Sequence, residues 1–152
     1  MAGTRTVYLL DPQNALFEAI EIEVGDQEAI NTELECEAAD SLRFDDHHTL
    51  YFDDQGLCRG MSQYTMLDGY PDPLGGKLLL AANGDEDGAA PHMDLAEALN
   101  RFHCFRPVMD PVIVTSSTLR DGVISFISGV SQFTTRIEPM EIKVIDFRSP
   151  MF

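Results

Sequence analysis

Tryptophan is absent from this sequence of 152 residues, and lysine occurs only at Lys77 and Lys143. No apolar run approaches the roughly 18 residues that a membrane-spanning helix needs. The cysteines, Cys36, Cys58 and Cys104, stand far apart with no CxxC or CxxH pair. That spacing excludes a zinc ribbon and a dithiol redox motif, and it leaves reduced, partly buried thiols as the expectation. The opening "MAGTRTVYLLDP" has too short an apolar stretch for a signal peptide, so the protein is expected in the cytoplasm of its host cell. Neither a G-x-S-x-G elbow nor a phosphate-binding P-loop occurs. Adjacent acids such as Asp53 and Asp54 point to opposite sides of a strand and do not form a catalytic pair.

Positive charge is scarce as well. Against 26 acids stand 10 bases, for a net charge of −16. The imbalance is local: residues 1–100 carry a net −17 and residues 101–152 a net +1. Such a field repels nucleic-acid phosphate and anionic membrane, so direct binding to either is excluded. Two readings of the acidity remain. One is a surface that steers toward a basic protein partner, at the extreme by imitating nucleic acid. The other is a solvation habit of a salt-adapted or GC-rich host, in which arginine replaces lysine and every surface is acidic.

What is present is β-forming sequence of one-domain length with 44% hydrophobic residues. "TRTVYLLDP" predicts a strand over Thr4–Asp11. "ALFEAIEIEVG" predicts a half-buried strand with Ile20, Ile22 and Val24 on one face and Glu21 and Glu23 on the other. Asp26 caps a short helix that presents Ile30 and Leu34. "DSLRF" and "HTLYFDD" form a strand pair around Asp45–His48, and "KLLLAAN" is a short buried strand. Residues 61–76, dense in Gly, Pro and Asp, are expected to be a loop. Asp94 caps an amphipathic helix with Leu95, Ala98, Leu99 and Phe102 on one face. After it come three or four strands, with "RDG" as a turn and Pro139 at an edge or break. The expected class is α+β: a mostly antiparallel sheet with two short helices, in a single domain over 1–152 with a β-rich C-terminal segment. That segment, 107–152, is expected to pack onto the sheet and bury Ile113, Val123, Phe126, Ile142 and Val144.

"TVYLLDP", then "DQEAIN", then "LYFDDQGL", then "PLGGKLLLAANGDEDG" follow one another in an order that resembles a family of small phage- and plasmid-encoded proteins catalogued only as a domain of unknown function. The resemblance covers about residues 4–106, and residues 107–152 have no counterpart in it. It implies a mobile genetic element as context. No catalytic residue comes with it.

"NGDEDGAAPHMD" sets Asn83, Asp85, Asp87, Gly88 and Asp94 at positions 1, 3, 5, 6 and 12 of a calcium-binding loop. Asn83 stands where such loops want a carboxylate, Asp94 is short for bidentate reach, and Pro91 interrupts. A turn followed by a helix cap explains the same residues without an ion. "FDDHHTLYFDD" clusters Asp45, Asp46, Asp53 and Asp54 with His47 and His48. A metal site there would need a third ligand from elsewhere, and a polar hairpin tip is the simpler account. No cofactor and no functional metal are expected.

The leading expectation is a non-enzymatic acidic accessory protein of a phage or plasmid that binds a host protein, as a nucleic-acid mimic or anti-defence factor. Its acidic face would comprise Glu33, Glu35, Glu37, Asp45, Asp46, Asp53 and Asp54. One alternative is a virion or assembly component that self-associates through residues 107–152, whose near-neutral "VISFISGVSQF" offers an apolar face. The other is a small metal-dependent enzyme using His47, His48 and Asp45.

Overall fold

A computed structural model describes residues 3–58 and 63–145. Ten strands and two helices run in the order β1 (Thr4–Asp11), β2 (Leu16–Glu23), α1 (Gln27–Leu34), β3 (Ala39–Arg43), β4 (His48–Asp53), β5 (Tyr64–Leu67), β6 (Leu74–Gly75), β7 (Leu78–Ala82), α2 (Leu95–Leu99), β8 (Phe102–Arg120), β9 (Val123–Pro139) and β10 (Lys143–Ile145). The class is α+β and mostly antiparallel, as the sequence predicts. No helix among the described residues is long and apolar enough to cross a membrane.

The main sheet has the order β10-β2-β1-β7-β4-β3, and its one parallel pair is β10 with β2. Alternation along β1 and β7 sends apolar side chains to both faces. Val7, Leu9, Leu79 and Ala81 meet Ile30 and Leu34 of α1 on one side. Tyr8, Leu10, Leu78 and Leu80 meet Leu95 and Ala98 of α2, Phe102 and the second sheet on the other. β2 contributes to both layers, because Phe17 and Ala19 face the second core while Ile20 and Ile22 face the first. It is more covered than its glutamates suggest.

Local signals place the helices. The Asp26 carboxylate accepts from the Glu28 N–H at 2.9 Å, and α1 ends at Glu35 in the left-handed region with φ 56°. Buried Asn31 then holds the exit into β3, donating to the Glu37 carbonyl and accepting from the Ala39 N–H. Asp94 caps α2 through the Glu97 N–H at 2.7 Å. That helix stops at Leu99, so Phe102 opens β8 instead of closing the helix face.

Two expectations fail. Residues 61–76 are not one loop: β5 and β6 lie there, and β5 pairs with the start of β8 in the second sheet, ordered β6-β5-β8-β9. Thr65, Leu67 and Leu74 are buried in it. The density of turn residues hid two strands too short to show a period. At Gly56, a Cβ would meet the Gly75 carbonyl oxygen at 2.3 Å, so this close backbone approach requires glycine on both sides.

The second failure is larger. β8 and β9 form strands, but they do not pack onto the sheet. Ile113, Val123 and Phe126 are 64%, 61% and 69% exposed, and Val144 on edge strand β10 is also exposed. Ile142 alone of the five is half-buried, against the second core. The physical reason is that beyond Phe105 β8 pairs only with β9, and among the described residues no third element covers either face of this two-stranded ribbon. β8 also runs straight through residue 106, so the boundary between 4–106 and 107–152 falls inside one strand. Met140, Ile142 and β10 then return the chain to the body.

Candidate functional site

At the turn between β3 and β4, buried His48 has both ring nitrogens engaged. Its Nδ1 lies 2.7 Å from Asp45 Oδ1, and its Nε2 accepts from the His92 backbone N–H at 2.9 Å. These partners assign the Nδ1–H tautomer. Burial works against the charged form of Asp45. The His47 N–H and the His48 ring outweigh it, and the carboxyl is held below its ordinary value. Exposed His47 lies tilted against His92, with ring centroids 5.7 Å apart. A His48 whose Nε2 already accepts a backbone bond offers neither a metal lone pair nor a base. The cluster docks the 83–94 loop onto the hairpin, which removes the basis for an enzyme built on His47, His48 and Asp45. Among the described residues no group of three or more His, Cys, Asp or Glu side chains is placed to hold a metal ion.

The calcium-like residues diverge. Asn83 bridges the Thr49 hydroxyl at 2.7 Å and the Asp46 carbonyl at 3.1 Å. Asp85 sits 3.3 Å from the buried Arg5 Nε and accepts from the Gly25 N–H at 2.9 Å. The pairing with Arg5 is a charge contact at poor hydrogen-bond angle, since that Nε makes no hydrogen bond. Asp87 accepts from the Thr4 N–H, and Asp94 caps α2. These side chains fasten the loop at separate points, to β4, to β1 and the turn after β2, and to α2.

Nor do the seven acids form one face. Glu33, Glu35 and Glu37 lie where α1 leads into β3, near Asp53 and Asp54 at the end of β4, because Ala39 is paired with Asp53. Asp45 and Asp46 occupy the opposite end of that hairpin. Asp53 is buried, with its carboxylate bonded to the Gln55 N–H, and Asp45 is committed to His48. Glu35 reaches Lys77 at 3.4 Å, and Asp46 is bonded to Arg43. Asp53 therefore leaves the exposed set. A surface cleft of 430 Å³ beside Asp45 is lined by Phe44, Tyr70 and Arg101. Arg101 stacks 4.1 Å over the Phe44 ring and donates to the Phe44 and Asp68 carbonyls, so it serves as a brace across the cleft. Cys104 is buried beside Thr65, and burial pushes its thiol up, away from reactivity. The Cys58 side chain lies outside the described residues.

The feature the acidic reading missed is the β8–β9 arm. It leaves the body beyond the Phe105–Pro139 pair and closes on a two-residue turn, Asp121-Gly122, with φ 53° and 79°, values that match a type I′ hairpin. Directly opposed residues share a face. One face carries Met109, Ile113 and Leu119 of β8 with Ile124, Phe126, Val130, Phe133 and Ile137 of β9, all exposed. No charged residue stands on it between Pro107 and the turn. The other face carries Arg106, Asp110, Arg136 and Glu138 in one ion-paired chain, with contacts of 2.7–3.1 Å. Arg106 and Arg136 beside Glu138 hold its carboxyl below the ordinary range. The arm is thus amphipathic near the body, while toward the tip Val114, Val123 and Ile127 are exposed on the reverse face as well. The strands were readable in the sequence from their β-branched residues, but β-forming sequence does not tell a core from open solvent.

No family model matches the chain, so the resemblance to a catalogued domain of unknown function gains no support, and no solved structure matches it. Two curated proteins do match. "Uncharacterized protein y4iR" of Sinorhizobium fredii (strain NBRC 101917 / NGR234) is 35% identical over 147 residues, covering 95% of this chain and 91% of its own length. "Protein PsiB" of Rhizobium leguminosarum bv. phaseoli is 36% identical over 112 residues, covering 72% of this chain and 77% of its own length. A match over 95% of the chain cannot stop at residue 106, so most of the C-terminal segment has a counterpart in y4iR. The chain belongs to the family of y4iR and PsiB.

Proposed function

We propose that this chain is a non-enzymatic accessory protein of a plasmid or other mobile element that acts in the host cytosol by binding protein, with the β8–β9 arm as its contact element. The carrying observation is the charge-free apolar face of the arm, exposed along its length on a protein of net −16. Only the Thr115–Ser128 hydroxyl pair interrupts it at mid-length; monomeric soluble proteins rarely leave apolar surface of this extent uncovered, and such patches mark association sites. The His48 cluster and the 83–94 loop support the non-enzymatic half, since their polar groups are spent on internal bonds.

A second reading rests on the net −17 of residues 1–100: half-buried Glu33 and the exposed acids Glu35, Glu37, Asp46 and Asp54 engage a basic host protein, at the extreme as a nucleic-acid mimic. The two separate by variant. Host proteins retained on the immobilised chain should be lost on Phe126→Asp with Phe133→Asp, and kept when those five acids become Gln and Asn. The reverse pattern would establish the acidic reading and remove the arm as contact element.

A further inference from the structure

Building on the arm as contact element, we infer that when no host protein occupies it the arm's apolar face is covered by the same face of a second copy of this chain, with the two arms packed antiparallel. Three observations lead there.

The first is area. The exposed parts of the face's large side chains, among them Met109, Ile113, Leu119, Phe126, Val130 and Phe133, amount to roughly 900 Å², about what one partner contributes to a standard interface. A two-stranded ribbon is marginal alone in water, so covering this face also stabilises the arm.

The second is charge. The face carries none: Arg106, Asp110, Arg136 and Glu138 are ion-paired on the reverse side, Arg120 shares that side, and Asp121 is in the turn. A basic or acidic partner finds no counter-charge on this face. An identical uncharged face meets its requirement, and a two-fold axis brings identical patches together.

The third is distance. At ~3.3 Å per residue the arm from Pro107 to Arg120 is about 45 Å long. Antiparallel overlap puts the two acidic bodies at opposite ends, several times the ~8 Å over which their charges repel at physiological salt. Parallel overlap would set the bodies side by side. Only the antiparallel arrangement lets two highly negative chains associate without that cost.

Sedimentation equilibrium of the full chain over a range of concentrations tests this. The expected species has twice the 16.9 kDa chain mass, with an association constant that changes little between low and high salt. Ile113→Asp with Phe126→Asp should weaken association by at least ~100-fold, as for the central residues of an interface. Ser116→Asp, on the reverse face, should leave it unchanged, and circular dichroism should show all three proteins folded. A chain that stays at 16.9 kDa at all concentrations overturns the proposal, as does a mass that grows without limit. Association that strengthens steeply with salt contradicts the antiparallel arrangement. If the chain is monomeric yet Ile113→Asp with Phe126→Asp still loses its host partners, the second copy fails and the arm as contact element survives. If those partners are kept as well, both fall.

Discussion

β7 and β9 are built from the same kind of residue and meet opposite fates. "LLLAA" of β7 is buried at every position, whereas in "VISFISGV" of β9 every residue is exposed. β7 lies between β1 and β4, with α1 over one face and α2 over the other. Among the described residues β9 has one neighbour and no cover. Hydrophobicity and period make a strand, but a third element decides whether the strand is core. Body and arm therefore answer to different rules: in the body an apolar side chain stabilises the fold, and in the arm it is available to something else.

Removing the chain beyond Pro107 should give the largest effect, because it takes β10, Met140 and Ile142 from the body. The fragment is expected to lack a cooperative thermal transition; a folded fragment would show that the return to the body is dispensable. Leu80→Ala, at a fully buried position, should cost about 2–5 kcal/mol in urea denaturation. Asp85→Ala leaves the buried Arg5 without its counter-charge and should cost about 1–3 kcal/mol, below the usual figure for a broken buried pair because Asp85 itself is half exposed. Calcium should neither rescue it nor bind the wild type.

Asp45→Asn tests acid sensitivity within the body. A carboxyl held below its ordinary value of 3.8 contributes stability that is complete above that value and is lost as pH falls through the lower folded value. The variant should match wild type least at neutral pH and converge on it in strong acid; a difference that grows toward acid would reverse the sign. Smallest of all, Phe126→Ala in the arm should move the monomer's stability by no more than about 0.5 kcal/mol, read at a protein concentration low enough to exclude association.

Much of the body was legible. The bounds of β1, the caps at Asp26 and Asp94, and the β3–β4 hairpin followed from alternation and cap chemistry, which are local. β5 and β6 were not legible, since strands of four and two residues carry no usable period among Gly and Pro. The acidic face misled for a related reason. Asp53 and Asp54 look alike in sequence, and burial of the first is decided by strands that pair across the chain. His48 gave no sign that the distant His92 backbone would occupy its second nitrogen. The arm's strands were plain, but whether anything covers them is a fact about the rest of the molecule.

The division between body and arm is tested most directly by replacing residues 108–136 with a two-residue turn, joining Pro107 to Ile137, which face each other across the ribbon. β10, Met140 and Ile142 remain in this shortened chain. In urea denaturation at low concentration it should unfold cooperatively with a midpoint close to that of the full chain, because the excised residues belong to neither core cluster of the described residues. Loss of cooperative unfolding would show that the arm is part of the folding core, and would contradict the account.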